Sequence, residues 1–274
     1  MIKLAVFGNP IKQSKSPTIH KMFAEQCKLD IAYQAILAPT EQFTRAVEKF
    51  LIDPQARGCN VTSPFKVDAH AFADELSEVA KLSGAVNTLS KLKNGKVRGD
   101  NTDGGGLVND ILSQDVAIQN SNILIIGAGG AARGVLPDLL KQQPAQLTLV
   151  NRTVSHAETL IGISEGLSST THCKASSFES LVPSGYDIVI NATTLSLNNK
   201  IPNLDAATVS KASLVYDMVY KNEPTAFLQW SAQHGAKKVR DGLGMLVGQA
   251  ALSFQIWTGH LPKTDRMLAQ LRVN

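Results

Sequence analysis

Short apolar segments alternate along the chain with longer stretches in which apolar residues recur at helical spacing. In the first third, these patterns predict strands at 3–7, 32–37 and 58–62 and helices near 17–27, 40–51 and 66–80. A second series begins near residue 122 and predicts strands at 122–126, 147–150, 187–190, 213–217 and 237–239. A final apolar stretch predicts a long helix at 243–257. Strands that alternate with helices in this way are typical of a layered α/β fold.

A β-hairpin is predicted between the two series. Asn94-Gly95 separates two short alternating runs, and this dipeptide is the strongest short signal for such a hairpin. With a two-residue turn, counting outward places Asn87 opposite Thr102. We therefore expect Asn87 and Asp103 to meet at one end of the hairpin.

Composition narrows the class of protein. A length of 274 residues favours two domains, and no apolar run reaches the roughly 20 residues that span a bilayer. The segment Met1–Phe7 predicts a strand rather than a signal peptide. The net charge of +4 is dispersed, which argues against a nucleic-acid partner. Cys27, Cys59 and Cys173 are an odd number of cysteines without metal-ligand spacing, so we expect no metal site and a reducing, cytoplasmic location.

A glycine-rich turn follows the first strand of the second series. The run Gly127-Ala128-Gly129-Gly130-Ala131-Ala132 matches G-x-G-x-x-A between a strand and a helical stretch. In dinucleotide-binding folds the first glycine permits a tight turn, the second lets the backbone approach a pyrophosphate, and the last small residue lets the helix pack on the strand. An ordinary strand-to-helix turn is the alternative. The context favours a nucleotide with its diphosphate at the helix N-terminus.

The next strand bears on the choice between NAD and NADP. NAD-binding folds usually place Asp or Glu about 20 residues further on, where it accepts from the ribose hydroxyls. Here the strand 147–150 ends in Asn151-Arg152-Thr153, without a carboxylate. Arginine at this tip can pair with a 2′-phosphate and stack on adenine. We therefore expect NADP, the alternative being an exposed arginine followed by a capping Thr153.

Polar side chains that follow the strands of the first series form a candidate substrate site. Ligands of parallel sheets lie beyond the carboxyl ends of the strands, and the candidates there and at the end of the hairpin are Ser14, Ser16, Thr62, Lys66, Asn87 and Asp103. Each has a structural explanation by itself; Ser16, for example, precedes Pro17 as a helix N-cap would. Together they predict a site for a small polyhydroxylated acid, with Lys66 and Asp103 as an acid–base pair.

A series of motifs in colinear order resembles the shikimate dehydrogenase family. The motifs are Gly8–Ile11 with Ser14–Pro17, Asn60–Lys66, Gly84–Thr88, Gly99–Gly104, Gly127–Ala131, Asn151–Thr153, Tyr216–Met218 and Asp241–Leu246. The likeness runs nearly end to end, and the Asn-Val-Thr and Asp-Asn-Thr-Asp signatures within it are highly specific. It implies interconversion of 3-dehydroshikimate and shikimate with NADP, in aromatic amino acid biosynthesis.

The resemblance also implies two α/β domains. An N-terminal substrate domain with a mostly parallel sheet would comprise 1–103 and 241–274, the chain returning to it through its last long helix. A Rossmann-type NADP-binding domain would comprise 104–240. The expected assembly is a monomer or a homodimer.

The resemblance assigns roles to individual residues. It implies that Ser14 and Ser16 bind the substrate carboxylate and that Lys66 and Asp103 are catalytic. The residues around the substrate ring would be Thr62, Asn87, Asp103, Tyr220 and Gln249. The residues that bind the cofactor would be Gly127, Ala128, Gly129, Gly130, Ala131, Asn151, Arg152, Thr153, Met218, Gly242 and Met245.

Two positions depart from the family pattern. Ser196 replaces a usual glycine in the loop after Asn191, which lies toward the nicotinamide side of the cofactor in the family. His156 stands where many members carry a second arginine, so Arg152 would be the main cation for a 2′-phosphate. The alternatives to the leading hypothesis are a quinate/shikimate dehydrogenase with relaxed choice of substrate or cofactor and a non-catalytic NADP- or shikimate-binding regulator.

Overall fold

A computed structural model describes residues 1–164 and 170–273. The strands are β1 (Ile2–Gly8), β2 (Ile31–Leu37), β3 (Ala56–Val61), β4 (Glu75–Leu76), β5 (Thr88–Lys91), β6 (Val97–Asp100), β7 (Asn122–Ile126), β8 (Gln146–Val150), β9 (His172–Ser176), β10 (Ile188–Asn191), β11 (Leu214–Asp217) and β12 (Val239–Asp241). The helices are α1 (Ser16–Cys27), α2 (Phe43–Leu51), α3 (Lys66–Phe72), α4 (Glu78–Ser83), α5 (Asp103–Leu112), α6 (Gly130–Lys141), α7 (Val154–Ser164), α8 (Ala226–Gln233), α9 (Leu243–Thr258) and α10 (Asp265–Val273).

The chain divides into two compact units. The first unit comprises Met1–Gly106 and Val247–Asn274, and the second comprises Leu107–Leu246. Each unit has its own sheet, and a helix crosses each boundary: α5 at the first and α9 at the second.

The sheet of the first unit has the order β2-β1-β3-β5-β6-β4. β1 pairs in parallel with β2 and β3, whereas the hairpin strands β5 and β6 run antiparallel to their neighbours β3 and β5. One face packs on α2 and α3 through a buried cluster that includes Phe7, Val47, Cys59 and Phe65. α9 belongs to this unit from Val247 onward and is tied to the sheet where Trp257 Nε1 donates to the carbonyl of Leu89 at 3.0 Å.

The sheet of the second unit has the order β12-β11-β10-β7-β8-β9, with every neighbouring pair parallel. Alternate residues of β7 are buried in separate clusters, Ile123 and Ile125 in one and Leu124 and Ile126 in the other. Burial on both faces is the mark of a doubly wound parallel sheet. The strand order reverses between β7 and β10, which is the position where such folds bind dinucleotides. The α/β fold expected from the sequence is confirmed.

Several elements differ from the sequence-based prediction. The prediction of a single helix at 66–80 is wrong. α3 ends at Phe72 and is followed by β4. A separate helix, α4, begins after Ser77, whose hydroxyl accepts from the N–H of Ala80. Asp74 stops the first helix from continuing, because its carboxylate accepts from Val97 N at 2.8 Å and fixes the chain at the sheet edge. β9 and α10 were not predicted from the sequence. β12 lies two residues later at each end than the predicted strand at 237–239.

The hairpin exists, but its predicted register is wrong by one residue. Thr88 pairs with Asp100 and Lys91 with Val97, so Asn87 is not opposite Thr102 in the ladder. The turn has three residues rather than two: Leu92 N donates to Lys96 O, and Gly95 lies at a φ of +85°. A three-residue turn with glycine in the left-handed region is the next most common hairpin connection.

His20 lies in a sealed aromatic cluster of the first unit. Its ring stacks on Tyr33 with a centroid distance of 4.2 Å and also contacts Phe23, Phe254 and Trp257. The imidazole is fully buried, and burial lowers its pKa to about 3. Its packing therefore gives His20 a structural role in the first unit.

The stability of the protein should depend on His20 in acid. Below a pH of about 6.5 the unfolded chain binds a proton at this position that the folded chain does not take up until about pH 3. The free energy of unfolding should therefore fall as the pH drops from 6.5 to 3, by up to about 1.4 kcal/mol per pH unit from this residue. His20→Phe should flatten this limb in urea titrations at pH 4 to 7, and His260→Gln, at an exposed histidine, should leave it unchanged. An unaltered acid limb in His20→Phe would contradict the assignment.

Candidate active site

Lys66 and Asp103 form an ion pair in the first unit. Lys66 begins α3 just after β3, and Asp103 begins α5 just after β6. Lys66 Nζ lies 2.5 Å from Asp103 Oδ2, with the lysine side chain 31% exposed and the aspartate side chain 10% exposed. A lysine in contact with a mostly buried carboxylate and still open to solvent is suited to exchange a proton with a bound molecule.

Asn87 holds Asp103 in place. Its side-chain Nδ2 donates to Asp103 Oδ1 at 2.8 Å, to Thr102 Oγ1 at 2.9 Å and to Gln249 Oε1 at 3.3 Å. Its Oδ1 accepts from the N–H of Thr102 at 3.0 Å. The predicted meeting of Asn87 and Asp103 at the end of the hairpin is confirmed, although the register that led to it is not. With one carboxylate oxygen bound by Asn87, the other is directed to Lys66.

A buried polar network around Asn60 contacts Asn87 and was not assigned a role from the sequence. Asn60 Nδ2 donates to the carbonyl of Asn87, to Thr88 Oγ1 and to Ser253 Oγ, while its Oδ1 accepts from Tyr33 Oη at 2.7 Å. These groups join β2, β3, β5 and α9. A signal for Asn60 was available, because a polar residue in an apolar strand needs buried partners. Its partner Ser253 lies 193 positions away, and no local pattern predicts that pairing.

Ser14 and Ser16 lie beyond the end of β1, as expected, but Ser16 is not the helix cap. The N-cap position of α1 is Lys15 and has no side-chain cap; the Oγ of Ser14 accepts from the N–H of Ser16 at 3.3 Å. Thr62 directly follows β3, and its methyl group packs on Gly8, where a Cβ would come within 2.5 Å of Thr62 Cγ2. Gln249 also lies in this unit, on α9.

Tyr220 lies in the second unit, after β11, and burial raises the pKa of its hydroxyl. The other candidate substrate residues are all in the first unit. Its role toward the substrate stays a prediction from the family resemblance.

The glycine-rich turn has the form expected of a dinucleotide site. Gly127 lies at a φ of +98°, and Gly129, the N-cap of α6, supplies no side chain to the first turn of that helix. A Cβ on Gly129 or Gly130 would have no neighbour within 4 Å, so the open side of this turn has room for a ligand to reach the backbone N–H groups. Ala132 is fully buried, which lets α6 pack on the sheet. These residues fit a diphosphate at the N-terminus of α6.

The tip of β8 carries the residues expected to select the cofactor. Asn151 Oδ1 accepts from the N–H of Ala128 at 3.3 Å, and Asn151 Nδ2 donates to the carbonyl of Thr153 at 2.8 Å, so this asparagine ties the tip to the glycine-rich turn. Arg152, Thr153 and His156 are exposed. An exposed guanidinium beside the turn fits a 2′-phosphate.

The loops after β11 and β12 contact each other in the second unit. A Cβ on Gly242 would come within 2.1 Å of the Met218 carbonyl oxygen, so the glycine is needed for this close approach. Met218, Met245 and Ala128 are partly buried against the same core. The candidate cofactor residues Ala131 and Met245 lie on α6 and at the start of α9.

Asp110, which the sequence reading did not single out, anchors the start of α9. It accepts from Tyr216 Oη at 2.6 Å and pairs with Arg240 Nη2 at 2.8 Å. Tyr216 Oη in turn accepts from the N–H of Met245, and Gly244 lies so close that a Cβ would be 2.0 Å from Asp110 Oδ1. Burial raises the pKa of the Tyr216 hydroxyl well above its usual range, so this phenol stays protonated and donates.

Comparisons with known proteins identify the family. The chain matches the models described as shikimate dehydrogenase substrate binding domain over residues 6–89, shikimate / quinate 5-dehydrogenase over 107–215, and shikimate 5′-dehydrogenase C-terminal domain over 242–272. It is 51% identical over 270 residues to the shikimate dehydrogenase (NADP(+)) of Vibrio cholerae serotype O1, covering 98% of this chain and 95% of the relative. The chain belongs to the shikimate dehydrogenase family. The membership implied by the sequence motifs is confirmed.

Solved structures agree with membership of the shikimate dehydrogenase family. An Ael1 enzyme from Pseudomonas putida matches with a TM-score of 0.93 and 36% identity, over 99% of this chain and 98% of that protein. The shikimate 5-dehydrogenase of Thermus thermophilus, solved in complex with NADP(H) and shikimate, matches with a TM-score of 0.86 and 29% identity, over 100% of this chain and 99% of that one.

Two further observations concern metal binding and membrane-spanning helices. Within residues 1–164 and 170–273, no three His, Cys, Asp or Glu side chains are grouped as a metal ion would require. Across the same ranges, every helix is too short or too polar to cross a bilayer.

Proposed function

We propose that this protein is an NADP-dependent shikimate dehydrogenase that interconverts 3-dehydroshikimate and shikimate, in aromatic amino acid biosynthesis. The observation that carries the proposal is the Lys66–Asp103 pair, held by Asn87, in a chain about half identical to a shikimate dehydrogenase (NADP(+)) over nearly its whole length. In the proposed domain organisation, 1–103 with 241–274 form the substrate domain and 104–240 form the NADP-binding domain.

Lys66 is assigned the proton transfer. Bound NADP supplies the hydride acceptor for oxidation of the alcohol and the hydride donor for the reverse reaction. As the substrate hydroxyl is oxidised, its proton passes to the neutral amine of Lys66, which becomes an ammonium; in reduction that ammonium returns the proton to the forming alkoxide. Asp103 orients the ammonium group through its Oδ2 and stabilises its positive charge.

The remaining polar residues position the substrate. Ser14 and Ser16 are assigned to its carboxylate, since hydroxyl groups beyond the end of β1 can donate to an anion. The ring hydroxyls are assigned to Thr62, Asn87, Tyr220 and Gln249. Asn87 and Gln249 already share a hydrogen bond, so a ring hydroxyl would enter an existing amide network.

The second unit supports NADP as the cofactor. The open glycine-rich turn, Gly127–Ala131, suits the diphosphate, and Asn151, Arg152 and Thr153 lie at the tip where the 2′-phosphate would bind. Met218, Gly242 and Met245 follow the carboxyl ends of β11 and β12 and are assigned to the nicotinamide half.

Cofactor choice can be tested at Arg152. The wild-type protein should reduce NADP with shikimate at a kcat/KM well above that with NAD, and Arg152→Ala should lower the NADP/NAD ratio of kcat/KM by about tenfold or more, because a charge-assisted contact to the 2′-phosphate is lost. Arg45→Ala, at an exposed arginine of the first unit, should leave the ratio unchanged. Equal kcat/KM for NAD and NADP in the wild type would contradict the assignment.

A quinate/shikimate dehydrogenase is the second candidate. It is favoured by the match of residues 107–215 to the family model described as shikimate / quinate 5-dehydrogenase. Running the same assay with quinate separates the two: turnover of quinate at a kcat/KM comparable to that of shikimate would support the second candidate. Binding of NADP or shikimate without turnover in any pairing would instead identify a non-catalytic regulator.

We propose further that the enzyme works in the cytoplasm as a monomer or homodimer, without a nucleic-acid or membrane partner. Two observations support this proposal: within the described residues Cys27, Cys59 and Cys173 form no disulfide bond, as in a reducing compartment, and the net charge of +4 is spread along the chain.

A further inference from the structure

The loop after β10 lies beside the glycine-rich turn of the second unit. β10 and β7 are neighbours at the point where the strand order reverses, so the chains that leave their carboxyl ends form the two walls of the dinucleotide crevice. Contact between the walls is direct: a Cβ on Gly127 would come within 2.8 Å of Thr193 Cγ2. The position of Thr193 therefore affects the turn that approaches the diphosphate.

Thr193 is held by the side chain of Asn191. Asn191 Oδ1 accepts from the hydroxyl of Thr193 at 2.7 Å and from its backbone N–H at 3.1 Å. Asn191 Nδ2 donates to Ser196 Oγ and to Asp217 Oδ1, each at 3.2 Å. The loop thus folds back on the last residue of β10.

Ser196 closes this network on a buried carboxylate. Its hydroxyl donates to Asp217 Oδ2 at 2.6 Å, and Asp217 also accepts from Thr225 Oγ1 at 2.7 Å and from Val219 N at 3.1 Å. Asn191, Ser196 and Asp217 have no exposed surface. Hydrogen bonds to a carboxylate are strong when the group is shielded from water.

Position 196 is one of the two positions that depart from the family pattern. Glycine there would supply no hydroxyl, so Asp217 Oδ2 would lose its shortest bond and Asn191 Nδ2 would lose one acceptor. The loop would keep the bond from the Leu195 N–H to Thr193 Oγ1 at 3.3 Å, but the short helical turn Leu195–Asn198 would lose its link through Ser196 to Asp217.

We infer that Ser196 is a positioning residue for the cofactor. By linking the loop after β10 to Asp217, Ser196 fixes Thr193, and with it this wall of the crevice, against the glycine-rich turn. The inference rests on the proposed NADP-dependent function. Ser196 has no exposed surface with which to contact the substrate or the reacting atoms. Its effect is transmitted through Asn191 and Thr193 to Gly127, so it acts on cofactor affinity rather than on the chemical step.

The test compares Ser196→Ala and Ser196→Gly with Ser231→Ala. Ser231 is a matched control, because it is equally buried in the same unit and its hydroxyl donates to the Phe227 carbonyl at 2.8 Å, within α8. For the wild type and the three variants we would measure steady-state kinetics with NADP and shikimate, NADPH binding by fluorescence titration, and the melting temperature. Removing the hydroxyl should raise the KM for NADP and the Kd for NADPH by about fivefold, and more in the glycine variant, as expected for one lost buried hydrogen bond.

The same measurements separate a positioning role from a purely structural one. The KM for shikimate and kcat should stay within about twofold of wild type in both Ser196 variants, since the first unit and the acid–base pair are untouched. An unchanged KM for NADP in both variants would overturn the inference, whatever their melting temperatures. An equal rise in Ser231→Ala would overturn it as well. A wild-type protein that neither binds NADPH nor oxidises shikimate would instead overturn the proposed function, and the inference with it.

Discussion

Replacing Lys66 with alanine is expected to lower kcat for shikimate oxidation by about 10²- to 10⁴-fold, while the KM for shikimate changes by no more than a few-fold. The size of the effect is that of general acid–base assistance to a proton transfer. The structure places the ammonium group 2.5 Å from a carboxylate that Asn87 holds from its other side. The lysine is therefore fixed by the protein and not by the substrate, so its loss should affect the transition state more than the bound ground state.

Two controls make the Lys66 result specific. Lys81→Ala removes an exposed lysine from α4 of the same unit and should leave kcat unchanged. Added primary amine should restore part of the activity of Lys66→Ala, because a small base can enter the space that the side chain leaves. A variant with wild-type kcat and a strongly raised KM would show that Lys66 binds the substrate without catalysing its reaction.

The second large effect is expected on stability, from Asp110→Ala. This change leaves the Arg240 guanidinium and the Tyr216 hydroxyl without the carboxylate that now binds both. Breaking a buried ion pair on one side costs about 3 to 5 kcal/mol, and the lower end of that range applies because the Arg240 side chain keeps 20% exposure. The melting temperature should fall by roughly 6 to 12 °C.

Asp138→Ala is the matched control for Asp110→Ala. Asp138 lies on α6 of the same unit, and its contact with Lys141 spans 3.6 Å with a lysine that is 38% exposed. With a long contact and side chains that are 38% and 18% exposed, this pair contributes about 1 kcal/mol or less. Thermal or urea unfolding of the two variants should differ clearly, and comparable losses in both would contradict the role given to Asp110. Because Tyr216 Oη accepts from the N–H of Met245, a raised KM for NADP should accompany the loss of stability in Asp110→Ala.

The fold was predictable where a single local signal was decisive. The alternation of apolar strands and helical stretches was enough to place β7, β8, β10 and β11, since buried parallel strands read as short apolar runs. The split of the helix predicted at 66–80 was not predictable in this way. It depends on Asp74 bonding to Val97 in a different strand, and helical periodicity carries no information about such a contact.

The candidate site also contains some residues that local sequence predicts and others that only tertiary contacts reveal. Lys66 and Asp103 were predictable, since each follows the end of a strand where ligands of α/β sheets bind. The hairpin signal brought Asn87 to Asp103 correctly even though the register was one residue off, because the Asn87 side chain reaches both Thr102 and Asp103. The buried partners of Asn60, Ser253 and Asp110 could not be assigned from the sequence alone. Their partners are tens to nearly two hundred positions distant, and only the tertiary fold shows that these polar groups are paired.

The return of α9 to the first unit sets an order of events during synthesis. The second unit is a continuous segment, Leu107–Leu246, whereas the first unit needs Val247–Asn274 to be whole. A growing chain can therefore complete the second unit while the first unit still lacks Gln249 and Ser253, the partners of Asn87 and Asn60. Although Lys66 and Asp103 are made early, the polar network around them is completed only after the last long helix has left the ribosome.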